Sequence, residues 1–386
     1  MKAVSLGGAC ESIKYGLTAS ADWSGVGPKF IRITDIVGGL YDLNLVPNVG
    51  GGEDPYSKYV VLNGDILVAR TGASVGASYI HMLGSDPVFA SYLVRFRVRP
   101  EFDARYVYYV TKTSAWRDFI SSNANAKSAQ PNSSASAMSE FEFHAPVLEQ
   151  QRATGEVLGA LDDKIAANRD ASIRAEALAV AVAGKSTQLV RLGEVARQRR
   201  SSVSPIKLGM ETVLHFSLPS FDDGRATLEP ANEIKSAKNE IKNAAVLVSK
   251  LNPRIPRLWP VDTAASDVRR LASTEFIVLE SSELEVGELW AAILRGNVFG
   301  QLQSLVGGTS NSHQRVLPQD ILDSVVPDPR QLKQEERRLL LSLCRLKNQL
   351  VEESYSLAGT RDELLPLLMN GRITVKDAER AVEGVV

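Results

Sequence analysis

One string of residues in the chain resembles a phosphate-binding loop, in which backbone amides hold a phosphate group. The string runs Ala179-x4-Gly184-Lys185-Ser186, with alanine in place of the first glycine of the usual pattern. Such a loop must precede a helix, because free N–H groups converge on the anion at a helix N-terminus. Here the string lies at the C-terminal end of an alanine-rich helical stretch, where carbonyl groups disfavour anions. The sequence therefore predicts a helix end here and no nucleotide site.

Other residue types that carry out chemistry are present, but their spacing does not suit it. The histidines are His81, His144, His215 and His313. None of them has a second histidine, cysteine or carboxylate at a metal-ligand spacing. Gly72-x3-Gly76 lacks the third glycine and the acidic residue of a dinucleotide site. Asp54-Pro55-Tyr56 is only a fragment of an adenine-methylation tetrapeptide. We therefore expect no metal site, no bound cofactor and no catalysis by this chain.

Polar side chains suited to nucleic-acid contacts recur in both halves of the chain. Arginine donates two hydrogen bonds to guanine, asparagine and glutamine pair with adenine, and lysines and hydroxyl groups hold phosphates. The candidate DNA contacts are Arg70, Thr71, Lys127, Gln130, Asn132, Arg199, Arg200, Lys235, Lys250, Arg254, Arg257, Asn311 and His313. Any one group of them could equally be a solvated surface. Their recurrence in matching places favours binding of double-stranded DNA.

The distribution of charge along the chain supports binding to DNA better than the net charge does. The net charge is −1, but residues 197–257 contain eleven basic and six acidic residues, a net charge of +5. A basic segment of this kind is typical of a surface that contacts phosphates, and a solvated surface is the alternative. Acidic residues then collect between Glu275 and Glu288, so the second half of the chain is polarised along its sequence.

The length and composition are those of a globular protein of two or three domains. The chain has 386 residues, 44% hydrophobic and 23% charged. There is no secretory signal pattern and no apolar run of about 18 residues, so we expect a cytoplasmic protein without a membrane partner. Cys10 and Cys344 fall in different predicted domains, and we expect both to be free thiols.

The chain repeats itself at a distance of about 180 residues, which is too long for a solenoid and indicates a duplicated domain. Val4–Ala9 is answered by Val190–Val195, and Leu6 and Leu192 lie 186 residues apart. Gly64–Arg70 is likewise answered by Ala244–Lys250. Two similar surfaces in one chain suggest that the protein reads two pieces of one partner.

Within the first repeat, the patterns predict mixed strands and helices. Alternating apolar residues predict strands at Phe30–Thr34 and Tyr92–Val98, and a short apolar run predicts a buried strand at Ile66–Ala69. Tyr106–Ile120 has a helical pattern, and the small polar residues of Ser121–Ser136 indicate an exposed loop.

Two long helices are predicted, one after each repeat, from about Glu149 to Gly184 and from about Leu332 to Asn370, with a kink at Pro366. Apolar residues spaced by three, four or seven positions indicate that the helices pair as an antiparallel coiled coil with a pseudo-twofold axis. The predicted seam consists of Leu158, Leu161, Ile165, Leu339, Leu343, Leu346, Leu350 and Leu357. The alternative is that each helix covers only its own domain.

The predicted fold is therefore α+β, with two homologous mixed α/β domains, each followed by a long helix. The predicted boundaries are 1–147 for the first domain, 148–186 for the first helix, 187–330 for the second domain, 331–371 for the second helix and 372–386 for a tail.

Three segments resemble the specificity subunit of type I restriction–modification systems: Gly64–Gly72, Leu148–Ile165 and Leu364–Ile373. The resemblance extends over nearly the whole chain. The second repeat departs from the pattern, because Ala244-Ala245 replaces Gly-Asp and Leu251-Asn252 replaces Thr-Gly. The loop of the second repeat therefore lacks the residues that carry the resemblance in the first.

The resemblance implies that each domain is a target-recognition domain for one half of a bipartite, asymmetric DNA site in a prokaryotic cell. The helix pair would set the spacer and bind two modification (methyltransferase) subunits, which would carry S-adenosylmethionine. Restriction (motor–nuclease) subunits could join the complex. Two other readings stay open: a methyltransferase in its own right, and a non-DNA protein scaffold or decoy subunit of a defence complex.

Overall fold

A computed structural model describes residues 2–37, 39–40, 42–50, 56–123, 131–263, 267–305 and 314–383. The chain divides into two compact units, residues 1–166 with 356–386 and residues 167–355. Both long helices therefore contribute residues to both units. Within the described residues, no helix is both long enough and apolar enough to cross a membrane.

The first unit contains a mixed α/β domain. Its strands are β1 (Lys2–Ser5), β2 (Cys10–Tyr15), β3 (Ser20–Asp22), β4 (Phe30–Ile31), β5 (Asn48–Gly50), β6 (Ile66–Ala69), β7 (Ser78–Ile80), β8 (Val88–Phe89), β9 (Leu93–Val98) and β10 (Glu142–Ala145). Its helices are α1 (Ile33–Val37), α2 (Ala104–Val110), α3 (Ser114–Asn123) and α4 (Ala135–Ser139), followed by the long α5 (Leu148–Ala183).

The second unit contains the second domain. Its strands are β11 (Leu189–Arg191), β12 (Arg197–Arg199), β13 (Ser202–Val203), β14 (Thr212–Phe216), β15 (Thr227–Pro230), β16 (Lys238–Ile241), β17 (Ala245–Ser249), β18 (Leu258–Val261), β19 (Arg269–Ser273), β20 (Phe276–Glu280) and β21 (Val325–Pro327). Its helices are α6 (Leu192–Val195), α7 (Leu218–Asp222), α8 (Val286–Arg295), α9 (Val298–Leu305) and α10 (Pro318–Asp323). The long α11 (Gln334–Met369) and the terminal α12 (Val375–Glu383) complete the chain.

The two domains share one core arrangement, which confirms the predicted duplication. The main sheet of the first has the order β2-β9-β6-β7, and that of the second has the equivalent order β12-β20-β17-β18. In each domain the first strand pairs antiparallel with the last, β1 with β10 and β11 with β21. The echoed leucines, Leu6 and Leu192, are both fully buried. Their N–H groups donate to equivalent carbonyls, of Phe141 (2.7 Å) and Ser324 (2.8 Å).

The domains differ in what is added to this core. The first carries two small sheets, β3-β5 and β4-β8, whereas the second carries a five-stranded sheet with the order β13-β16-β19-β14-β15. The duplication therefore preserved the core and let the attached parts change.

Two predictions for the first domain were wrong in detail. The strand predicted at Phe30–Thr34 ends at Ile31, because the Asp35 carboxylate accepts the Arg32 N–H (2.7 Å) and starts helix α1. The helix predicted over residues 106–120 is two helices, α2 and α3. It is interrupted where Thr113 Oγ1 donates to the Val110 carbonyl and accepts the Trp116 N–H, as an N-terminal cap does.

The two long helices lie side by side in each unit. In the second unit, Lys347 pairs with Glu176 (3.2 Å) and Lys185, just beyond α5, pairs with Glu336 (2.8 Å). Residue numbers rise along one helix as they fall along the other, so the helices run antiparallel. In the first unit, Leu158, Leu161 and Leu357 share one buried apolar cluster with Leu364 and Leu368. Regular coiled-coil packing stays a prediction.

The predicted seam on α11 needs correction at two positions. Leu339 and Leu346 are 39% and 42% exposed, whereas Leu340 and Cys344 are fully buried and Leu343 is almost so. The reason is that this part of α11 packs against the core of the second domain, which includes α8 and the end of α5. That contact selects a different face of the helix. Ile165 and Leu350 are half-buried.

In each domain, a helix lies in close contact with a long helix. A side chain on Gly155 of α5 would lie 2.6 Å from the Asp103 Oδ1 atom and 3.0 Å from the Arg105 Cβ, and one on Gly159 would overlap the Arg105 guanidinium. In the second domain the glycine lies on the domain helix, and the residue it contacts lies on the long helix. A side chain on Gly287 of α8 would lie 2.6 Å from the Leu341 Cα of α11.

Candidate nucleic-acid interface

Arg70 lies at the end of β6, where three chain segments meet. Its N–H donates to the Tyr92 carbonyl (3.0 Å), and its carbonyl accepts the Ser133 N–H (2.9 Å). Next to it, Thr71 and Asn132 form an isolated antiparallel bridge. The structure therefore brings the predicted residues Arg70, Thr71 and Asn132 together.

The Arg70 side chain is held by other side chains. Its guanidinium carbon lies 4.7 Å from the centre of the Tyr15 ring, and Nη2 donates to the Asn132 Oδ1 atom (3.4 Å). The Tyr15 hydroxyl in turn accepts the Ala135 N–H (2.9 Å). The contacts of the Arg70 side chain among the described residues are thus with an aromatic ring and an amide.

A tight turn follows Arg70. Gly72 has a φ of 79°, a left-handed conformation that side-chain-bearing residues rarely adopt, and its N–H donates to the Pro131 carbonyl (2.9 Å). This turn joins the end of β6 to the segment that carries Asn132 and Ser133. It therefore fixes the backbone on both sides of Arg70.

The same backbone arrangement occurs in the second domain. The Lys250 N–H donates to the Glu275 carbonyl (2.9 Å), and the Val316 N–H donates to the Lys250 carbonyl (3.0 Å). Leu251 forms an isolated bridge to Arg315, as Thr71 does to Asn132. These bonds place Lys250 where the first domain has Arg70.

The turn is preserved although its glycine is not. Asn252 stands where Gly72 stands, has a φ of 48°, and donates its N–H to the Gln314 carbonyl (2.8 Å). Asparagine is among the few residues with a side chain that enter this region readily. The departure of Leu251-Asn252 from Thr-Gly thus leaves the shape of the loop unchanged.

The side chains at these equivalent places are different. Tyr92 is replaced by Glu275, Asn132 by Arg315 and Ser133 by Val316. Tyr15 pairs with Val94, one strand over from Arg70, and Arg200 occupies the corresponding end of β12 beyond the Arg199–Val278 pair. The surroundings of Arg70 thus include two tyrosines, whereas those of Lys250 include Glu275 and two further basic residues.

A family model for the type I restriction modification DNA specificity domain matches residues 1–176. The match covers the first domain and most of α5, so the Arg70 position lies inside the matched region.

The S subunit of a type I restriction–modification system from M. genitalium has a similar structure, with a TM-score of 0.59 and 15% sequence identity. The similarity covers 95% of this chain and 96% of that one, so the fold is shared over both halves. The HsdS subunit from Thermoanaerobacter tengcongensis is 16% identical over 96% of this chain and 97% of its own, with a TM-score of only 0.34. No curated protein sequence matches the chain.

Tyr15 and Tyr92 are two residues of the matched region that the sequence analysis did not single out. They are 42% and 61% exposed and flank Arg70. Each lies at the end of a strand, Tyr15 closing β2 and Tyr92 just before β9. Their exposure and their position beside Arg70 arise from the fold, so the sequence carried no signal that would have identified both.

The other predicted contacts of the second half are divided. Arg199, Arg200, Lys235 and Arg254 are exposed, as a DNA contact requires. Arg257 is not free, because its Nε and Nη2 atoms each lie 2.7 Å from a carboxylate oxygen of Asp222. This partner raises the pKa of Arg257, and the side chain is nearly buried. Part of the positive charge counted in residues 197–257 is therefore neutralised by ion pairs within the chain.

Four further candidates lie outside the described residues: Lys127, Gln130, Asn311 and His313. They stay predictions. The described residues on either side, Asn123 and Pro131 in the first half and Leu305 and Gln314 in the second, connect them to the positions described above.

A cleft of about 930 Å³ in the first unit does not belong to this interface. It is lined by α2, α3, β10 and the two long helices, and its Arg361 side chain is bonded to both Asp162 and Asp362. The Asp162 carboxylate accepts hydrogen bonds from Tyr109 Oη (2.6 Å) and Arg361 Nη1 (2.5 Å). Lys112 Nζ donates to the Ser78 carbonyl (2.6 Å), and burial lowers its pKa to about 8.

Proposed function

We propose that the chain is the DNA-specificity subunit of a type I restriction–modification complex, and that each domain reads one half of a bipartite DNA site. The observation that carries the proposal is the match of residues 1–176 to the DNA specificity domain family. The shared fold of the M. genitalium S subunit supports extending the role to the second domain. In this proposal the chain recognises DNA and does no chemistry itself.

The two halves of the DNA site should differ in sequence. Equivalent backbone positions carry Tyr92 and Asn132 in one domain and Glu275 and Arg315 in the other. Base edges are distinguished by the pattern of donors and acceptors that a protein presents to them. Different side chains at the same place therefore support an asymmetric site rather than the palindrome that a symmetric dimer would read.

The long helices are the proposed binding surface for two modification subunits, which would carry S-adenosylmethionine. Ile173 and Leu178 on α5 and Leu339 and Leu346 on α11 are apolar and exposed. Apolar side chains on a charged helix are typical of a surface that another helix covers. In this proposal Leu339 and Leu346, which are exposed, contact a modification subunit.

The test is the genome-wide pattern of N6-methyladenine in the host with and without this gene. Loss of one bipartite, asymmetric motif on deletion is the expected result, and it would give both half-sites and the spacer. If a host with a working modification subunit keeps the same pattern without the gene, the proposal is wrong. The interpretation that the chain is a protein scaffold or decoy subunit would then replace it.

A further inference from the structure

We infer that Glu275 and Arg315 together read a single C·G base pair in the DNA half-site bound by the second domain. The inference rests on the proposed function and deepens it, because it names the residues and the base pair. It follows from three observations: the position of the two side chains, their contact with each other, and the hydrogen-bonding groups that they leave available.

The position is the one that the first domain uses for its exposed aromatic and amide groups. Glu275 lies beside Lys250 as Tyr92 lies beside Arg70, and both place a side chain at the end of the central strand of the sheet. Arg315 lies across from Leu251 as Asn132 lies across from Thr71. A DNA-reading surface in one domain thus implies the same surface in the other.

The contact between the two side chains leaves both of them with unused capacity. Arg315 Nη2 lies 2.7 Å from Glu275 Oε1, and the Arg315 side chain is 65% exposed. The second carboxylate oxygen, Oε2, is buried and has no hydrogen-bond partner among the described residues. Because Oε2 is buried, a base can reach it only after the Glu275 side chain turns outward, and an unsatisfied buried acceptor favours that movement.

The two groups match the major-groove edge of one base pair. Cytosine presents the N4 amino group as a donor, and guanine presents O6 and N7 as acceptors. A glutamate accepts from cytosine N4, and an arginine donates two hydrogen bonds to guanine. An adjacent carboxylate and guanidinium therefore fit C·G, the pair in which both acceptors lie together on one base, guanine, and the donor lies on the other, cytosine.

The carboxylate also argues against a contact with the DNA backbone. A glutamate beside a phosphate would be repelled, since both carry negative charge. An exposed ion pair contributes little to folding stability, so its presence is not explained by the fold alone. At a position that faces DNA, an acidic group is useful when it accepts a hydrogen bond from a base.

The experiment compares methylated motifs made by the complex of this chain with its modification subunits. The variants are Glu275→Ala, Glu275→Gln and Arg315→Ala, and the matched control is Glu283→Ala. Glu283 also pairs with an arginine, Arg330 (3.1 Å), but that arginine keeps Asp328 as a second partner. The control therefore removes an ion pair of the same type elsewhere in the same unit.

Glu275→Ala and Arg315→Ala should relax one C·G position in one half-site, with discrimination falling by a factor of about 5 to 150. Glu275→Gln should shift that position toward A·T, because glutamine pairs with adenine. The other half-site and the spacer should stay unchanged in every variant, which shows that the variant folds and assembles. Glu283→Ala should give the wild-type motif.

An unchanged motif in all three variants would overturn the inference, and so would equal loss of methylation at every sequence. The proposed function would survive either outcome, provided that the wild-type complex methylates a bipartite motif. If the wild-type complex, with an active modification subunit, methylates no such motif, the proposed function itself fails, and this inference fails with it.

Discussion

At the scale of single residues, Arg70→Ala should weaken DNA binding by about 1–3 kcal/mol and relax one position of the first half-site, if its guanidinium contacts a base. If it contacts a phosphate, affinity should fall evenly across sequences, with a smaller salt dependence. The measurement is the affinity of the assembled complex for the motif and for single-base variants of it, at several salt concentrations. Arg117→Ala, at an exposed position on α3 of the same domain, is the control and should change neither.

The residue types at the candidate interface could be identified from the sequence, but their surroundings could not. Arg70 and Asn132 were predicted as DNA contacts and lie together, and Arg257 was predicted in the same way but is paired with Asp222. Composition cannot distinguish these cases, because the partner of Arg257 is 35 residues away in the chain. Tyr15 and Tyr92 were missed for the same reason, since only folding brings them beside Arg70.

Lys112 should make the stability of the protein depend on pH. Burial lowers its pKa from the ordinary 10.5 to about 8 in the folded chain. Between these values the unfolded chain binds the proton and the folded chain does not, so this residue's contribution to stability rises with pH. The difference in free energy of unfolding, wild type minus Lys112→Met, should therefore increase from about pH 8 to pH 10.5. Urea unfolding of both proteins at several pH values measures this, and a constant difference would contradict it.

At the scale of elements, the sequence was accurate where the signal is local. The predicted ends of the long helices differ from the observed ones by at most two residues, because Pro146 and Gly184 mark one helix and Asn370-Gly371 ends the other. The buried face of α11 was less predictable. Its heptad spacing selects Leu339 and Leu346, but the domain that packs against it selects Leu340 and Cys344.

Gly155→Ala should destabilise the protein, because the new methyl group meets Asp103 and the backbone start of α2. Overpacking of this kind costs about 1–3 kcal/mol. The matched control is Gly359→Ala on α11, where an added methyl group meets nothing within 4 Å. That change should stabilise the protein by about 0.5–1 kcal/mol, because alanine favours a helix more than glycine does. Urea unfolding separates the two, and equal effects would show that the contact at Gly155 is not tight.

A double-mutant cycle tests the neighbouring contact at Gly159. Gly159→Ala alone should displace the Arg105 guanidinium from Asp163, to which it is bonded at 2.8 Å. Once Arg105 is replaced by alanine, the same change should no longer destabilise the protein and should instead stabilise it by about 0.5–1 kcal/mol, as at Gly359. Additive effects in the cycle would show that the two residues do not interact.

At the scale of the whole molecule, we expect the helix pair to determine the spacing of the DNA half-sites. Four residues inserted near Asn168 add about 6 Å of helix, which corresponds to one or two base pairs. Ion pairs join α5 to α11 at Asp162–Arg361 and at Glu176–Lys347, on either side of this point. A matching insertion in α11, between Lys347 and Arg361, is therefore required to keep both.

The double insertion should lengthen the spacer of the methylated motif by one or two base pairs and leave both half-sites unchanged. Insertion into α5 alone should disrupt one of the two ion pairs and lower stability. An unchanged spacer in the double variant would mean that the helices do not set the distance between the half-sites.

The contacts between domains and long helices also bear on how genes of this kind can recombine. In the first domain the long helix provides the glycines and α2 the bulky arginine, whereas in the second the glycine is on α8 and the bulk is on α11. A crossover could place a domain helix that carries an arginine, as α2 does, against the long helix at Leu341. Two bulky residues would then meet where a glycine now allows close contact. Exchange of new recognition domains into this chain should therefore be productive only when the breakpoints keep each domain with the helix that fits it.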